Sequence, residues 1–111
     1  MKIHKIINLV AFENTYILEN NQGLLVVDPG SDWKKIERKL EELAKPVIAI
    51  LLTHTHYDHI MSLEKVREHY AAPPVYVAES ESSWLYTPTD NLSGLARHAD
   101  LDDIICRPAE E

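Results

Sequence analysis

The chain has 111 residues, of which 45% are hydrophobic and 26% charged, so it has room for one domain with a modest core. Eighteen acidic residues against 11 basic ones give a net charge of −7, which disfavours nucleic acid and anionic membranes as partners. The single cysteine excludes an intramolecular disulfide, and no apolar run reaches the roughly 18 residues of a membrane span. We therefore expect a soluble, cytoplasmic protein.

The first part of the chain predicts a three-stranded meander. Its apolar stretches are separated by the turn-forming segments Glu13–Asn14 and Asn20–Gly23. Asn8 interrupts the first stretch and no small-residue cleavage site follows, which argues against a signal peptide. The predicted strands are Ile3–Val10, Thr15–Leu18 and Leu24–Val27.

A helix and a strand are predicted next. The turn Asp28–Ser31 precedes a segment with apolar residues at helical spacing, which Ser31 or Asp32 could cap and which Pro46 would end. Val47–Leu52 has no polar residue, which predicts a strand covered on both faces. The apolar positions of the helix are Trp33, Ile36, Leu40 and Leu43.

A second helix is predicted to begin after Asp58, followed by the short strand Val75–Val77. Beyond this strand the apolar pattern weakens, so residues 1–80 form the predicted core of a single domain, 1–111, and residues 81–111 an irregular extension. The expected apolar face of the helix is Ile60, Leu63, Val66 and Tyr70, and its expected polar face is Glu64, Lys65, Arg67 and Glu68.

Three histidines and an aspartate stand within six positions directly after the apolar strand. Neutral imidazole and carboxylate are the donors that zinc and its neighbours prefer. On an extended segment His54 and His56 point the same way and could bind one ion, while Asp58 and His59 could face a second ion. Because ligands gather beyond the carboxyl ends of strands in α/β sheets, this position favours a metal site over a histidine-rich surface loop without ligands.

Three segments together resemble the N-terminal half of the metallo-β-lactamase-fold hydrolases, a superfamily that includes the glyoxalase II-type thioesterases. They are Asn14–Leu18 as an early strand, Leu25–Gly30 as a strand ending in an acidic turn, and Leu51–His59 as the strand with the metal motif. The resemblance covers residues 1–80 and implies an α/β fold: half of an αββα sandwich, a mixed sheet with helices packed on one face.

The resemblance also implies roles for the motif residues. His54 and His56 would bind the first of two zinc ions, with iron or manganese as other metals, and Asp58 and His59 the second. Asp58 would also act in catalysis, orienting a metal-activated hydroxide that attacks a thioester, lactone or related ester-like bond. Asp28 would support the ligands from behind, and the hydroxyl of Thr53 would steady the turn.

The second half of the family fold supplies a further histidine to each ion and a bridging aspartate. No residue after His59 is expected to take these roles. His69 is expected to be an exposed helix residue, His98 an ordinary solvated histidine, and Cys106 a buried small side chain. We therefore expect a fragment that corresponds to half of the enzyme, with weak metal binding and slow or absent hydrolysis.

Two functions remain open at this point. The leading hypothesis is a metal-dependent hydrolase of a small-molecule substrate; the alternative is a catalytically inactive metal-binding or oligomerisation half-domain. A homodimer across the exposed sheet face, or pairing with a missing C-terminal half, would complete the fold. Amidohydrolases also place His-x-His at a strand end, but their barrel is too long for this chain.

Overall fold

The computed structural model describes residues 1–86 together with Asn91 and Cys106, so the predictions for His98 and most of the extension lie outside the described residues. Five strands and three helices, with two 3₁₀ segments, make up this part. The strands are β1 (Lys2–Ile7), β2 (Asn14–Glu19), β3 (Leu24–Val27), β4 (Val47–Leu51) and β5 (Val75–Tyr76). The helices are α1 (Trp33–Leu43), α2 (Tyr57–Ile60) and α3 (Leu63–His69), and the 3₁₀ segments are Val10–Phe12 and Glu79–Tyr86.

The strands form one mixed sheet in the order β1-β2-β3-β4-β5. The first three strands run antiparallel, as predicted for a meander, and β4 and β5 join in parallel. The parallel pairs need crossover connections, which α1 supplies between β3 and β4 and the α2–α3 segment between β4 and β5. The predicted mixed α/β fold is confirmed.

The helices cover one face of this sheet. Residues paired across neighbouring strands on that face, such as Ile17 with Val26 and Val26 with Ile50, are fully buried. They pack in one core with apolar residues of α1 and α3, as the helical spacing predicted. The helix residues in this core are Trp33, Ile36, Leu40, Leu63 and Val66.

The opposite face of the sheet carries apolar side chains that the described residues leave partly open. Ile3 in β1 and Tyr76 in β5 are 67% and 50% exposed. Between them lies a row of cross-strand neighbours, each of which is only partly buried. The row is Leu18, Leu25, Tyr16, Val27 and Leu51. The expectation that β4 is covered on both faces is therefore wrong for the described part of the chain, where Ile48 is also exposed.

Two details of the helices differ from the predictions. The second predicted helix is broken at Met61–Ser62, because Ser62 turns inward and bonds the carbonyl groups of Pro29 and Gly30 instead of continuing the helix. Arg67, expected on the polar face, is buried, and its guanidinium donates to Glu64 at 3.1 Å.

The start of α1 also differs from the simple capping expected. Asp32 occupies the N-cap position, but its side chain makes no capping bond. Instead Asp32 Oδ2 accepts from the backbone N–H of Leu9, and Ser31 Oγ accepts from that of Val10. The two side chains thus hold the loop between β1 and β2 against the sheet edge where β4 ends. In the part of the chain that the structure covers, no helix has the length and apolar character needed to cross a bilayer.

Candidate metal centre

The histidine-rich loop leaves the sheet at the carboxyl end of β4. The backbone N–H of Leu52 donates to the carbonyl of Tyr76 in β5, and the chain then continues without regular structure to His56, which is the N-cap of α2. Thr53 and His54 are exposed, whereas the side chains of His56, Asp58 and His59 are half-buried. The sequence order strand, extended loop, helix therefore places all four predicted ligands on one side of the sheet edge.

The three imidazoles lie near one another. The ring centroids of His54 and His56 are 6.1 Å apart, and those of His54 and His59 are 5.1 Å apart. Asp58 and His59 approach most closely, with 3.4 Å between Asp58 Oδ2 and His59 Nε2. The structure thus brings donor atoms of the predicted second-ion pair within 3.4 Å of each other, and it places the two rings of the predicted first-ion pair beside them.

One pair of this donor set, Asp58 and His59, has a spacing that fits a divalent metal ion. Two donors bound to a tetrahedral zinc ion at about 2.0–2.1 Å lie about 3.3 Å apart, which matches the Asp58 to His59 separation. Imidazole nitrogen and carboxylate oxygen are also the donors that zinc and iron accept. His54, His56, Asp58 and His59 are the residues that would hold the ions, and this assignment stays a prediction.

Asp28 lies directly behind the loop and contacts it at two points. Its Oδ1 accepts the backbone N–H of Thr53 at 2.7 Å, and its Oδ2 accepts the Thr53 hydroxyl. The same Oδ2 is 3.1 Å from His59 Nδ1. The Thr53 hydroxyl is in turn 3.2 Å from His54 Nδ1, so one carboxylate is linked to two imidazoles. This is the geometry expected of a group that orients metal-binding histidines from behind.

Glu13 is a second buried carboxylate at this position, whereas the sequence predicts only a turn residue there. Its Oε2 is 3.3 Å from His59 Nδ1. Glu13, Asp28 and His59 each have a potential metal-binding atom within 4.8 Å of the other two, and among the described residues they are the one group of three or more with this spacing. Burial raises the pKa of the Glu13 carboxyl. The hydrogen bond to Asp28 raises the pKa of His59. No local sequence signal predicted this contact, because residues 13 and 59 meet only through the fold.

The second 3₁₀ segment, Glu79–Tyr86, supports the loop from the other side. Glu81 Oε1 accepts the backbone N–H of Thr55 at 3.1 Å, and the Thr55 side chain is fully buried. The Trp84 indole stacks on the imidazole of His56, with ring centroids 5.6 Å apart and an angle of 11° between the planes. The sequence predicted irregular structure from residue 81, so this contact was also missed.

An open groove of about 400 Å³ adjoins the site and gives a small molecule access to it. The groove is lined by Phe12 and Glu13 from one loop and by His54, Asp58 and His59 from the other. Two residues judged unsuitable as ligands lie elsewhere. His69 is exposed on α3 with Nδ1 against the carbonyl of Lys65, and Cys106 is buried in the core, as predicted for both.

A donor-rich loop at the carboxyl end of a mixed sheet, backed by a buried carboxylate, defines an α/β protein with a candidate metal centre. The sequence profile of the metallo-β-lactamase superfamily matches residues 9–105, which is most of the chain. The chain belongs to this superfamily, and the predicted membership is confirmed.

Two curated relatives illustrate its similarity within the family. A probable metallo-hydrolase of Streptococcus pyogenes serotype M6 is 56% identical over 110 residues, which are 99% of this chain and 47% of the relative. A hydroxyacylglutathione hydrolase of Klebsiella pneumoniae is 36% identical over 74 residues, which are 64% of this chain and 29% of the relative. The chain spans about half or less of the length of each of these relatives.

Two solved structures resemble the fold over nearly the whole chain. The BLEG-1 B3 metallo-β-lactamase superposes with a TM-score of 0.84 at 30% identity, covering 98% of this chain and 51% of that one. TTHA1623, solved in a di-iron-bound form, gives a TM-score of 0.73 at 26% identity, covering 97% and 51%. The expected correspondence to about half of the family fold is therefore confirmed.

Proposed function

We propose that the chain carries the metal-binding half of a hydrolase that cleaves a thioester, lactone or related ester-like bond in a small molecule. The observation that carries this proposal is the convergence of Asp58 and His59 beside His54 and His56, at the edge of an open groove. The donors are positioned by a rigid strand end, which suits a reactive centre better than a mobile loop would.

We assign each residue of the site a role in metal binding, orientation of a ligand, or catalysis. His54 and His56 hold one ion, Asp58 and His59 hold the second, and Asp28 and Thr53 keep the imidazoles oriented from behind. Zinc is the proposed metal, with iron or manganese as replacements, and such an ion supplies Lewis acidity and lowers the pKa of water. Asp58 is the proposed catalytic residue, because it lines the groove and could orient the attacking water there.

The substrate class follows from the relatives and from the groove. The relative from Klebsiella pneumoniae is named for hydrolysis of hydroxyacylglutathione, an acylated thiol, and this supports a thioester as the scissile bond. The groove of about 400 Å³ is large enough for a compact acyl group and is open at its outer side. The net charge of −7 supports neither nucleic acid nor a membrane as partner, and a cytoplasmic location is retained as a prediction.

Hydrolysis assays on matched variants test this proposal. Zinc-loaded protein is assayed with a hydroxyacylglutathione, a lactone and a β-lactam, and His56→Ala is compared with His69→Ala. We expect the thioester to be cleaved fastest, with loss in the His56 variant and retention in the His69 variant, since His69 lies on α3 outside the site. Equal activity of the two variants would contradict the proposed role of the motif.

A second candidate function is supported by the ligand count. Each ion would have two ligands from the described residues, whereas three or four protein ligands are usual. The partly open sheet face with Ile3 and Tyr76 offers a surface for the missing layer. We therefore propose as alternative a catalytically inactive metal-binding or oligomerisation half-domain, completed by a homodimer across this face or by pairing with a C-terminal half.

The mass in solution separates these completions. Light scattering at micromolar concentration should give twice the chain mass if two copies pair across the sheet face, and Tyr76→Arg should then restore the monomer. A monomeric mass for the unmodified chain excludes the homodimer. A monomer that binds metal and lacks activity in all three assays would support the inactive half-domain.

A further inference from the structure

We infer that Glu13 is a positioning residue of the proposed metal site, an inference that rests on the proposed function. Its buried carboxylate acts together with Asp28 to hold His59 with Nδ1 facing inward. The opposite ring nitrogen, Nε2, is then the one that faces Asp58 and is available to a metal ion.

Glu13 is fixed in place by a buried polar network. Its side chain is 2% exposed, and its Oε1 accepts from Asn8 Nδ2 at 2.8 Å. Asn8 Nδ2 also donates to Thr15 Oγ1, which in turn donates to the backbone carbonyl of Asp28. Gly30 leaves the space that this arrangement needs, since a Cβ atom there would overlap both Glu13 Oε1 and Asn8 Nδ2. The carboxylate is thus anchored to the same turn that carries Asp28.

The orientation of Asn8 is set by backbone groups on both sides. Its Oδ1 accepts the backbone N–H of Asp32 at 2.9 Å, and its Nδ2 donates to the backbone carbonyl of Glu13 at 3.1 Å. The amide group therefore cannot be reversed without losing both bonds. It follows that Asn8 always presents a donor to Glu13 Oε1, which leaves Glu13 Oε2 for another partner.

That partner is His59. Glu13 Oε2 lies 3.3 Å from His59 Nδ1, and Asp28 Oδ2 lies 3.1 Å from the same nitrogen. Asp28 also accepts two hydrogen bonds from Thr53, so it shares its capacity between the loop backbone and the imidazole. Glu13 adds a second acceptor that restricts the tilt of the ring. Glu13 Oε2 and His59 Nδ1 are both buried and neither meets hydrogen-bond geometry with a described residue, so their 3.3 Å contact is an electrostatic one between groups that have no competing hydrogen-bond partner.

Glu13→Gln is an informative substitution because the amide orientation is dictated by Asn8. The Gln oxygen must take the place of Oε1 to accept from Asn8 Nδ2, so the Gln NH₂ group replaces Oε2 and points at His59 Nδ1. Two donors would then face each other. His59 is expected to move its proton to Nε2, the nitrogen that the metal ion requires.

The test measures the ring protons of His59 and the affinity for zinc separately. Long-range ¹H–¹⁵N correlation spectra of the metal-free protein report the tautomer, at a pH above the raised pKa of about 8 of Glu13, where its carboxyl group is ionised and the imidazole is neutral. We expect Nδ1–H in the unmodified protein and Nε2–H in Glu13→Gln, together with zinc binding about 10-fold weaker in the variant. Glu19→Gln is the matched control, because Glu19 also contacts a histidine, His4, but lies away from the site.

The unmodified protein alone can overturn the inference. Folded, metal-free protein with His59 in the Nε2–H form would contradict it, even if the Gln variant failed to fold. Unchanged zinc affinity and an unchanged tautomer in Glu13→Gln would contradict it as well. Failure of the proposed function is a different result: zinc binding that is insensitive to His54→Ala and His56→Ala would refute the metal site, while the tautomer would still report the role of Glu13.

Discussion

The Trp84 indole stacks almost parallel on the imidazole of His56, at a centroid separation of 5.6 Å and an angle of 11°. His56 also stacks on His54, with an angle of 25° between the two imidazoles. The Glu79–Tyr86 segment therefore helps to order the predicted ligands, although Trp84 is far from His56 in the sequence. A flat aromatic surface restricts the rotation of His56 about its side-chain bonds.

Trp84→Ala is expected to weaken zinc binding. Aromatic stacking contributes about 0.5–1.5 kcal/mol beyond area burial, which corresponds to a roughly 2- to 10-fold loss of affinity. Trp84→Phe should keep most of the affinity because it keeps a stacking ring. Competition titration with a zinc-sensitive dye measures the effect, and Tyr86→Ala, which removes an exposed aromatic of the same segment, serves as control. Equal affinity for the Trp84→Ala and Tyr86→Ala variants would refute the positioning role of the indole.

Asp28→Asn tests the contacts of the Asp28 carboxylate with Thr53 and His59 without changing the backbone. Asp28 has a φ of 52°, a left-handed conformation that asparagine also adopts readily. The substitution places an amide donor opposite His59 Nδ1 or removes the acceptor for the Thr53 N–H. We expect metal affinity to fall about 10- to 100-fold with the fold retained by circular dichroism. Asp32→Asn is the control, and a similar loss of affinity in both variants would point to a general charge effect.

Ala44→Gly is expected to stabilise the protein. Ala44 ends α1 with a φ of 53°, where a residue with a Cβ atom is strained and glycine is not. The free energy gained by removing the backbone strain at residue 44 should exceed the entropic cost of ordering glycine. The free energy of unfolding should therefore rise by about 0.5–1 kcal/mol. Ala49→Gly, the same change inside strand β4, should lower it by a similar amount. Urea denaturation compares them, and destabilisation by both substitutions would disprove strain at residue 44.

The ion pairs of Glu19 are expected to make the free energy of unfolding fall in acid. Hydrogen bonds from Lys45 at 2.8 Å and from His4 at 3.0 Å lower the pKa of its carboxyl from 4.5 to about 2. A lowered pKa in the folded state stabilises the protein above pH 4.5, and this stabilisation disappears as the pH falls from 4.5 through 2. Glu19→Gln should therefore be less stable than the unmodified protein at pH 7, with the difference shrinking towards pH 2 in urea denaturation. A difference that stays constant with pH would show that the ion pair does not titrate as described.

Much of the fold could be predicted because its signals are local. Alternation of apolar residues indicated the meander, helical spacing indicated the core face of α1, and the apolar run of β4 located the histidine cluster at its end. The cluster itself is a short motif whose donors lie next to one another in sequence. Patterns of this kind need no knowledge of distant contacts.

The supporting residues could not be predicted because their roles depend on contacts between distant parts of the chain. In the sequence Glu13 looks like a turn residue. In the structure Asn8 Nδ2 donates to the Glu13 carboxylate, which lies against His59. Trp84 follows the last regular strand and has no periodic neighbours, yet it meets His56 across the site. Arg67 has the helical position of an exposed residue and is buried by its surroundings. Local sequence patterns carry no information about such pairings.

Metal analysis of the purified protein tests the central claim most directly. In equilibrium dialysis against zinc, which also detects weak binding, we expect about one equivalent or more of zinc per chain in the unmodified protein and in His69→Ala. His56→Ala and His59→Ala should retain clearly less. A metal-free unmodified protein, or equal zinc content in all four proteins, would contradict the assignment of residues 54–59 as a metal site.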